Sequence, residues 1–431
     1  MEKRVNTAIR EIDAFEILDS RGWPTLRVKV TLAWRNAGVA SVPAGASTGQ
    51  LEAVEHRDGD AQRYSGKGTL AAARTIREVL SPLLAGTDAS DQVTLDRMLI
   101  GCDGTSNKAR IGANAILGVS LAAARAAAAA SSVPLYRYLD DVGSNRMPVP
   151  MVNVVNGGKH ANNSLDFQEF MIVPHGAPSF SEAIRYAAET FHALGRRLAG
   201  CGYPTSVGDE GGFAPTLQSN EEALELISKS IEDAGYEPGR QIAIALDPAA
   251  SSFFKAGSYH LTKSGEGVLS RQQLLERYKS LCSKYPIVSI EDGFAEDDWE
   301  GFETQTAEMG SRLQVVGDDL YVTNSRLIAG GLQRQASNAV LIKLNQIGTL
   351  TETNHAVGLC RTAGWNWIIS HRSGETEDTF IADYAVAKGG GQIKTGSICR
   401  SERLAKYNRL IEIERELGSS AEFTSPFAKH F

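Results

Sequence analysis

Leu26, Val28, Val30 and Leu32 alternate with Arg27, Lys29 and Thr31, giving this segment one apolar and one polar face. A period of two predicts a strand buried on one side. A turn predicted at Arg35-Asn36-Ala37-Gly38 brings the chain back. Alanine and leucine then dominate Ala71 to Leu84 and Asn114 to Ala130, where composition and spacing predict helices. A meander followed by helices predicts a smaller α+β N-terminal domain over residues 1–145. Its end is expected at the polar stretch Asp140 to Arg146, just ahead of Pro148 and Pro150.

Beyond that stretch the pattern restarts with two apolar runs, Val149 to Val155 and Phe167 to Val173. Two helical patterns follow, Phe180 to Leu198 and Glu221 to Ala234. Shorter apolar runs then alternate with helical stretches: Ile242 to Leu246, Ile287 to Ile290, Leu313 to Val316, Ala339 to Ile342, Trp367 to Ile369 and Gly391 to Ile393. An order of ββαα followed by regular alternation predicts an eight-stranded α/β barrel over residues 146–431.

The 431 residues are 42% hydrophobic and 22% charged, enough to bury a large core in each domain. A formal charge of −7 gives no general attraction to nucleic acid or an anionic membrane. An anionic substrate therefore needs a local cluster of cations. Cys102, Cys201, Cys282, Cys360 and Cys399 are odd in number, widely spaced and form no CxxC pair, which predicts a reducing compartment and neither a disulfide framework nor a zinc centre. Met1 to Arg10 lacks the apolar core of a secretory signal. Leu121 to Ala130, interrupted by Arg125, reads as a packed helix and not a membrane span. A cytoplasmic protein without nucleic-acid or membrane partners is the resulting expectation.

Candidate chemistry collects directly after the barrel runs, at Asp247, Glu291-Asp292, Asp318-Asp319, Lys343, His371-Arg372-Ser373 and Lys394. Any one of these, taken singly, reads better as a strand cap or an ion pair than as a catalytic group. The succession predicts a pocket, because the C-terminal rim of an α/β barrel carries its active site. Asp247, Glu291 and Asp318 offer oxygen ligands without an adjacent cysteine or histidine pair, a hard set suited to Mg²⁺. Lys343 and Lys394 exceed what salt bridging requires. A lysine beside a divalent cation is expected to have a lowered pKa and to serve as base toward a weakly acidic C–H bond. Glu210, in a Gly208-Asp209-Glu210-Gly211-Gly212 loop expected to be flexible, and Glu169, expected to end or follow its strand, offer carboxyl groups for a leaving group. The small residues and hydroxyls of Pro43 to Gly49 suit a mobile lid.

Longer motifs join these positions: Ser20-Arg21-Gly22, Ala46-Ser47-Thr48-Gly49, Arg57-Asp58-Gly59-Asp60, Asn156-Gly157-Gly158, Gln168-Glu169-Phe170 and Gly208 to Pro215. Others are Ser289-Ile290-Glu291-Asp292, Gly317-Asp318-Asp319, Ser370 to Thr376 and Arg400 to Lys406. In these motifs, and over nearly its whole length, the chain resembles the enolases (phosphopyruvate hydratases). The resemblance implies reversible dehydration of 2-phosphoglycerate to phosphoenolpyruvate in glycolysis and gluconeogenesis. It implies that Lys343 takes the C2 proton and that Glu210, with Glu169, assists departure of the C3 hydroxyl. Asp247, Glu291 and Asp318 would hold one Mg²⁺, and Ser47 a second that arrives with substrate, making two per active site. Lys394 would contact the substrate carboxylate and Arg372 and Ser373 the phosphate, with His160, Glu169 and His371 lining the pocket.

Some positions depart from the family pattern. Pro248 follows Asp247, Gly293 follows Glu291-Asp292, and Ser397-Ile398 follows closely on Lys394. Each alters backbone stiffness beside a reacting group. They open an alternative in which the substrate is a phosphonate analogue, as for the carboxyphosphonoenolpyruvate synthases of phosphonate biosynthesis. The family also implies a homodimer or higher homo-oligomer. A family glutamate and arginine that pair across its dimer correspond here to Arg27 and Glu412, with the charges exchanged.

Overall fold

The computed structural model describes residues 6–45 and 49–427. Strands β1 (Ile9–Leu18), β2 (Pro24–Leu32) and β3 (Ala37–Ser41) form an antiparallel sheet in chain order. β1 escaped the period-two reading because a register shift between Ile9 and Glu11 breaks the alternation, leaving Ile9, Ile12 and Ala14 as its buried residues. The β2–β3 turn lies at residues 33–35, earlier than expected, with Arg35 at φ 67° and the Leu32 N–H donating to the Asn36 carbonyl at 2.8 Å.

Helix Ala113–Ala130 packs on this sheet. A Cβ on Gly38 would lie 2.2 Å from the Ala122 carbonyl oxygen, so a glycine facing alanines is what lets strand and helix backbones approach. The helix is long and apolar enough to cross a membrane by length and composition, yet 89% of it is buried inside the protein. The helix expected over 71–84 is broken into Leu70–Thr75, one wide turn at Ile76–Leu80, and Ser81–Leu84. At the break Ser81 donates back to the Ile76 carbonyl, immediately before Pro82, which has no N–H to continue the ladder.

The second unit carries β4 (Val149–Asn156), β5 (Glu169–Val173) and β6 (Ala243–Asp247). A separate small sheet follows, β7 (Phe254–Lys255), β8 (Ser258–Leu261) and β9 (Gly267–Leu269), whose strands are too short to show a period in sequence. Then come β10 (Ile287–Glu291), β11 (Gln314–Gly317), β12 (Ala339–Ile342), β13 (Asn366–Ser370) and β14 (Gln392–Lys394). β4, β5, β6 and β10 to β14 close into one barrel, with strands at the eight apolar runs read from sequence. β5 runs antiparallel to both neighbours, and every other barrel pairing is parallel. β4 and β5 are joined without a crossover helix, and that short connection favours antiparallel pairing.

Surrounding helices start where the sequence supplies caps. Ser179, Ser219, Ser270 and Thr349 each accept a backbone N–H three residues on, opening Phe180–Gly200, Asn220–Asp233, Arg271–Lys284 and Leu350–Ala363. Ser270 and Gln273 complete a capping box. The barrel interior is filled by Val149, Met151, Met171, Val173, Ala243, Ala245 and partners from the later strands, joined by Phe427 from the C-terminal segment.

Candidate active site

Three of the barrel strands end on charged residues: β6 on Asp247, β10 on Glu291 and β14 on Lys394. Asp318 follows β11, Lys343 follows β12, and His371, Arg372 and Ser373 follow β13. Glu169 corrects the expectation that it ends or follows its strand, because it begins β5. Since β5 is antiparallel, its first residue reaches the rim, level with Asn156 of β4 and Asp247 of β6. His160 comes from the link after β4, and Glu210 from the glycine loop. All of these side chains but Lys343, which is partly exposed, are buried, and all but Asn156 and Glu291 line one common cavity.

Asp247 and Glu291 share one ammonium, and Asp318 faces a second. The Lys394 ammonium donates to Asp247 Oδ2 at 3.0 Å and to both Glu291 oxygens at 2.9 Å, and lies 3.3 Å from Glu169 Oε1. Lys343 pairs with Asp318 Oδ2, while Gln346 Nε2 donates to Asp318 Oδ1 at 3.0 Å. Burial, reinforced by Asp247, pushes Glu291 well above the usual carboxylate range. Burial pushes Asp318 the same way, but the Lys343 ammonium outweighs it and the net shift is downward. Lys343 is the mirror case: burial disfavours its charge, Asp318 more than compensates, and its pKa is raised. The lowered value expected for Lys343 requires a cation shielding Asp318, and here the bare carboxylate sets the sign. Three buried carboxylates at or just after three strand ends, facing the Lys343 and Lys394 ammonium groups, are an oxygen donor set that fits a hard divalent cation. Asp292 is committed elsewhere, since its oxygens accept the Asp318 and Asp319 N–H groups at 2.9 Å each.

Across the pocket, Glu210 sits among donors. Ser373 Oγ donates to Oε1 at 3.1 Å and Asn153 Nδ2 to Oε2 at 3.2 Å, while His371 Nε2 lies 3.5 Å from Oε2 and His160 Nε2 3.7 Å from Oε1. Burial raises both Glu169 and Glu210, yet for Glu210 the opposing pull of His160, His371 and the Arg403 guanidinium wins, and it ends well below the usual range. Glu169, facing the Glu210 charge, is driven well above it. The two carboxyls are thus shifted in opposite directions, Glu169 upward and Glu210 downward. The glycine loop is not the flexible segment expected: the Glu210 carbonyl accepts the Ser397 N–H at 2.9 Å and the Asp209 carbonyl accepts Arg403 at 3.2 Å. Its glycines answer to packing, as a Cβ on Gly212 would meet Asn156 Oδ1 at 2.8 Å.

The N-terminal domain completes the site. Arg372 is gripped by Glu52, with Nη1 to Oε2 at 2.9 Å and Nη2 to Oε1 at 3.2 Å, and also donates to Asn345 Oδ1 at 2.9 Å. Ala44 and Gly374 exchange backbone hydrogen bonds of 2.8 and 2.9 Å. Ser47 lies outside the described residues. Sequence reasoning did not single out Glu52 or Asn153, and it quoted Gln168 and Arg403 only within motifs. Gln168 Nε2 reaches Asp247 Oδ2 at 3.4 Å and its Oε1 has no partner in the buried pocket wall. Adjacency to Glu169 was the available signal for Gln168, while Glu52 has none in its own neighbourhood. Of the family departures, Pro248 removes a donor beside Asp247, and the N–H of Ala249, held at φ 47°, supplies it to Oδ1 at 3.0 Å.

Comparison with known proteins agrees with this geometry. Residues 9–139 match the family described as Enolase, N-terminal domain, and residues 144–430 match Enolase, C-terminal TIM barrel domain. The chain is 60% identical over 415 residues to a protein named Enolase 1 from Methylococcus capsulatus, covering 96% of this chain and 99% of that one. It is 57% identical over 415 residues to Enolase from Desulfotalea psychrophila, covering 96% and 98%. With both halves of the fold matched and identity sustained from end to end, this chain belongs to the enolase family.

Proposed function

We propose that this protein, a hydro-lyase of the enolase family, reversibly dehydrates 2-phosphoglycerate to phosphoenolpyruvate with Mg²⁺, serving glycolysis and gluconeogenesis in the cytoplasm. The observation that carries this reading is the division of the pocket into a carboxylate–lysine half and a half where Glu169 and Glu210 lie on either side of His160. Lys343 takes the C2 proton on one side. Glu210 protonates the departing C3 hydroxyl on the other, recharged from the proton on Glu169. Arg372 and Ser373 hold the phosphate, for which Arg372 exchanges its Glu52 carboxylate, and Lys394 holds the substrate carboxylate. His160 and His371 close the wall around Glu210. Asp247, Glu291 and Asp318 would hold one Mg²⁺ and Ser47 a second accompanying substrate. Bound there, the ions supply positive charge against the second negative charge that develops on the substrate carboxylate.

A phosphonate analogue as substrate is not favoured. The relatives at 57–60% identity are named enolases, and the departures at Pro248, Gly293 and Ser397 leave every reacting group in place. Assembly as a homodimer is part of the same reading, with Arg27 of one protomer meeting Glu412 of its partner. Steady-state turnover of 2-phosphoglycerate, followed by absorbance of the enol product, tests the function. Activity should appear with Mg²⁺, vanish with EDTA and return on adding Mg²⁺. Folded protein that binds Mg²⁺ but leaves 2-phosphoglycerate untouched would refute it.

A further inference from the structure

Arg403 lies at the start of helix Ser401–Leu417 and is fully buried, although it touches neither metal-binding carboxylates nor the cavity. Its Nη1 is 2.6 Å from His371 Nδ1 and donates to the Arg372 carbonyl at 2.7 Å. Its Nη2 donates to the carbonyls of Ser373 at 2.6 Å and Asp209 at 3.2 Å. One guanidinium thus ties the loop bearing Glu210 to the loop bearing His371 and Ser373. A Cβ on Gly396 would sit 2.7 Å from Arg403 Cδ, so the absence of a side chain there leaves room for the stem.

A guanidinium has five N–H donors, no acceptor, and stays protonated in proteins. The bond to His371 Nδ1 can therefore form only if Nδ1 offers a lone pair. That excludes the imidazolium and the Nδ1–H tautomer, and puts the ring proton on Nε2, which lies 3.5 Å from Glu210 Oε2. We propose that Arg403 is a positioning residue that fixes His371 as the Nε2–H tautomer, so that His371 donates to Glu210 and cannot take its proton. With Asn153 also donating to Oε2, neither of these two neighbours of that oxygen offers Glu210 a basic nitrogen. His371 is thereby removed as a competitor for the proton that Glu210 delivers to the substrate. The groups facing His371 are Glu210, Arg403 and Glu375; burial, aided by Arg403, keeps the ring neutral near pH 7 against the pull of both carboxylates.

The inference rests on the acid role given to Glu210, but its primary test does not. In ¹⁵N-histidine-labelled full-length protein, the His371 signals, assigned by their loss in His371→Gln, should show a protonated Nε2 and an unprotonated Nδ1 near neutral pH. A protonated Nδ1 in the wild type overturns the proposal outright, even if no Arg403 variant folds. In Arg403→Met the ring should gain Nδ1 protonation, and kcat for dehydration should fall roughly 10- to 100-fold with little change in KM. Arg403→Lys, which keeps a donor-only cation, should restore the tautomer and most of kcat. A folded Arg403→Met variant that loses activity while retaining the Nε2–H ring makes the role merely structural and sinks the proposal. Absence of turnover in the wild type would count against the dehydration reading, while the nitrogen shifts would still decide the tautomer.

Discussion

Lys343 and Glu210 stand in opposite electrostatic surroundings, one paired with a carboxylate and the other ringed by donors, and their roles separate by experiment. Lys343→Ala should reduce exchange of the substrate C2 proton with solvent deuterium roughly 10²–10⁴-fold, together with turnover. Glu210→Gln should leave exchange measurable while dehydration is lost, since the base is intact. Equal loss of both reactions in Glu210→Gln would move the acid role to another group. At this scale the sequence reveals residues that end strands, because a charged side chain after an apolar run is visible locally. Glu52 gripping Arg372 is not visible, since 320 positions separate them and neither neighbourhood encodes the other.

Among the elements, β5 is the instructive case. Its apolar run locates the strand but carries no direction, and direction decides whether its first or last residue reaches the pocket. Glu169 became a neighbour of Asp247 through that choice alone. Strand period also hides polar positions facing the barrel interior. Gln314 of β11 and Gln392 of β14 are buried and exchange amide hydrogen bonds of 3.0 and 2.9 Å, with Ser289 of β10 accepting from Gln314 at 3.1 Å. Gln392→Leu leaves the Gln314 amide short of a partner and should cost about 1–3 kcal/mol in urea unfolding. The Gln314→Leu/Gln392→Leu double variant should cost less than the two single changes summed. Strict additivity would mean that the amides do not depend on one another.

For the molecule as a whole, the expected dimer contact turns on two surface charges. Within the protomer Arg27 Nε donates to Ser41 Oγ at 2.9 Å, and Glu412 meets Arg409 at 3.2 Å with its side chain 65% exposed. Glu412 therefore has room for a second cation from a partner. An exposed pair contributes only about 0–1 kcal/mol, so the stronger test is repulsion. Arg27→Glu should weaken dimerisation in sedimentation experiments by roughly tenfold, and Arg27→Glu/Glu412→Arg should restore it. A monomeric wild type, or a charge reversal without effect, would remove the contact. What the sequence by itself determined is what short stretches of chain encode: the eight barrel strands, most helix positions and the charged residues at strand ends, all set by local period, propensity and capping. Tertiary structure alone decided which of those ends share a pocket, the direction of β5, the docking of Glu52 onto Arg372 and the reach of Arg403 to His371. Those depend on barrel closure and on contacts between distant segments, whose geometry no single stretch contains.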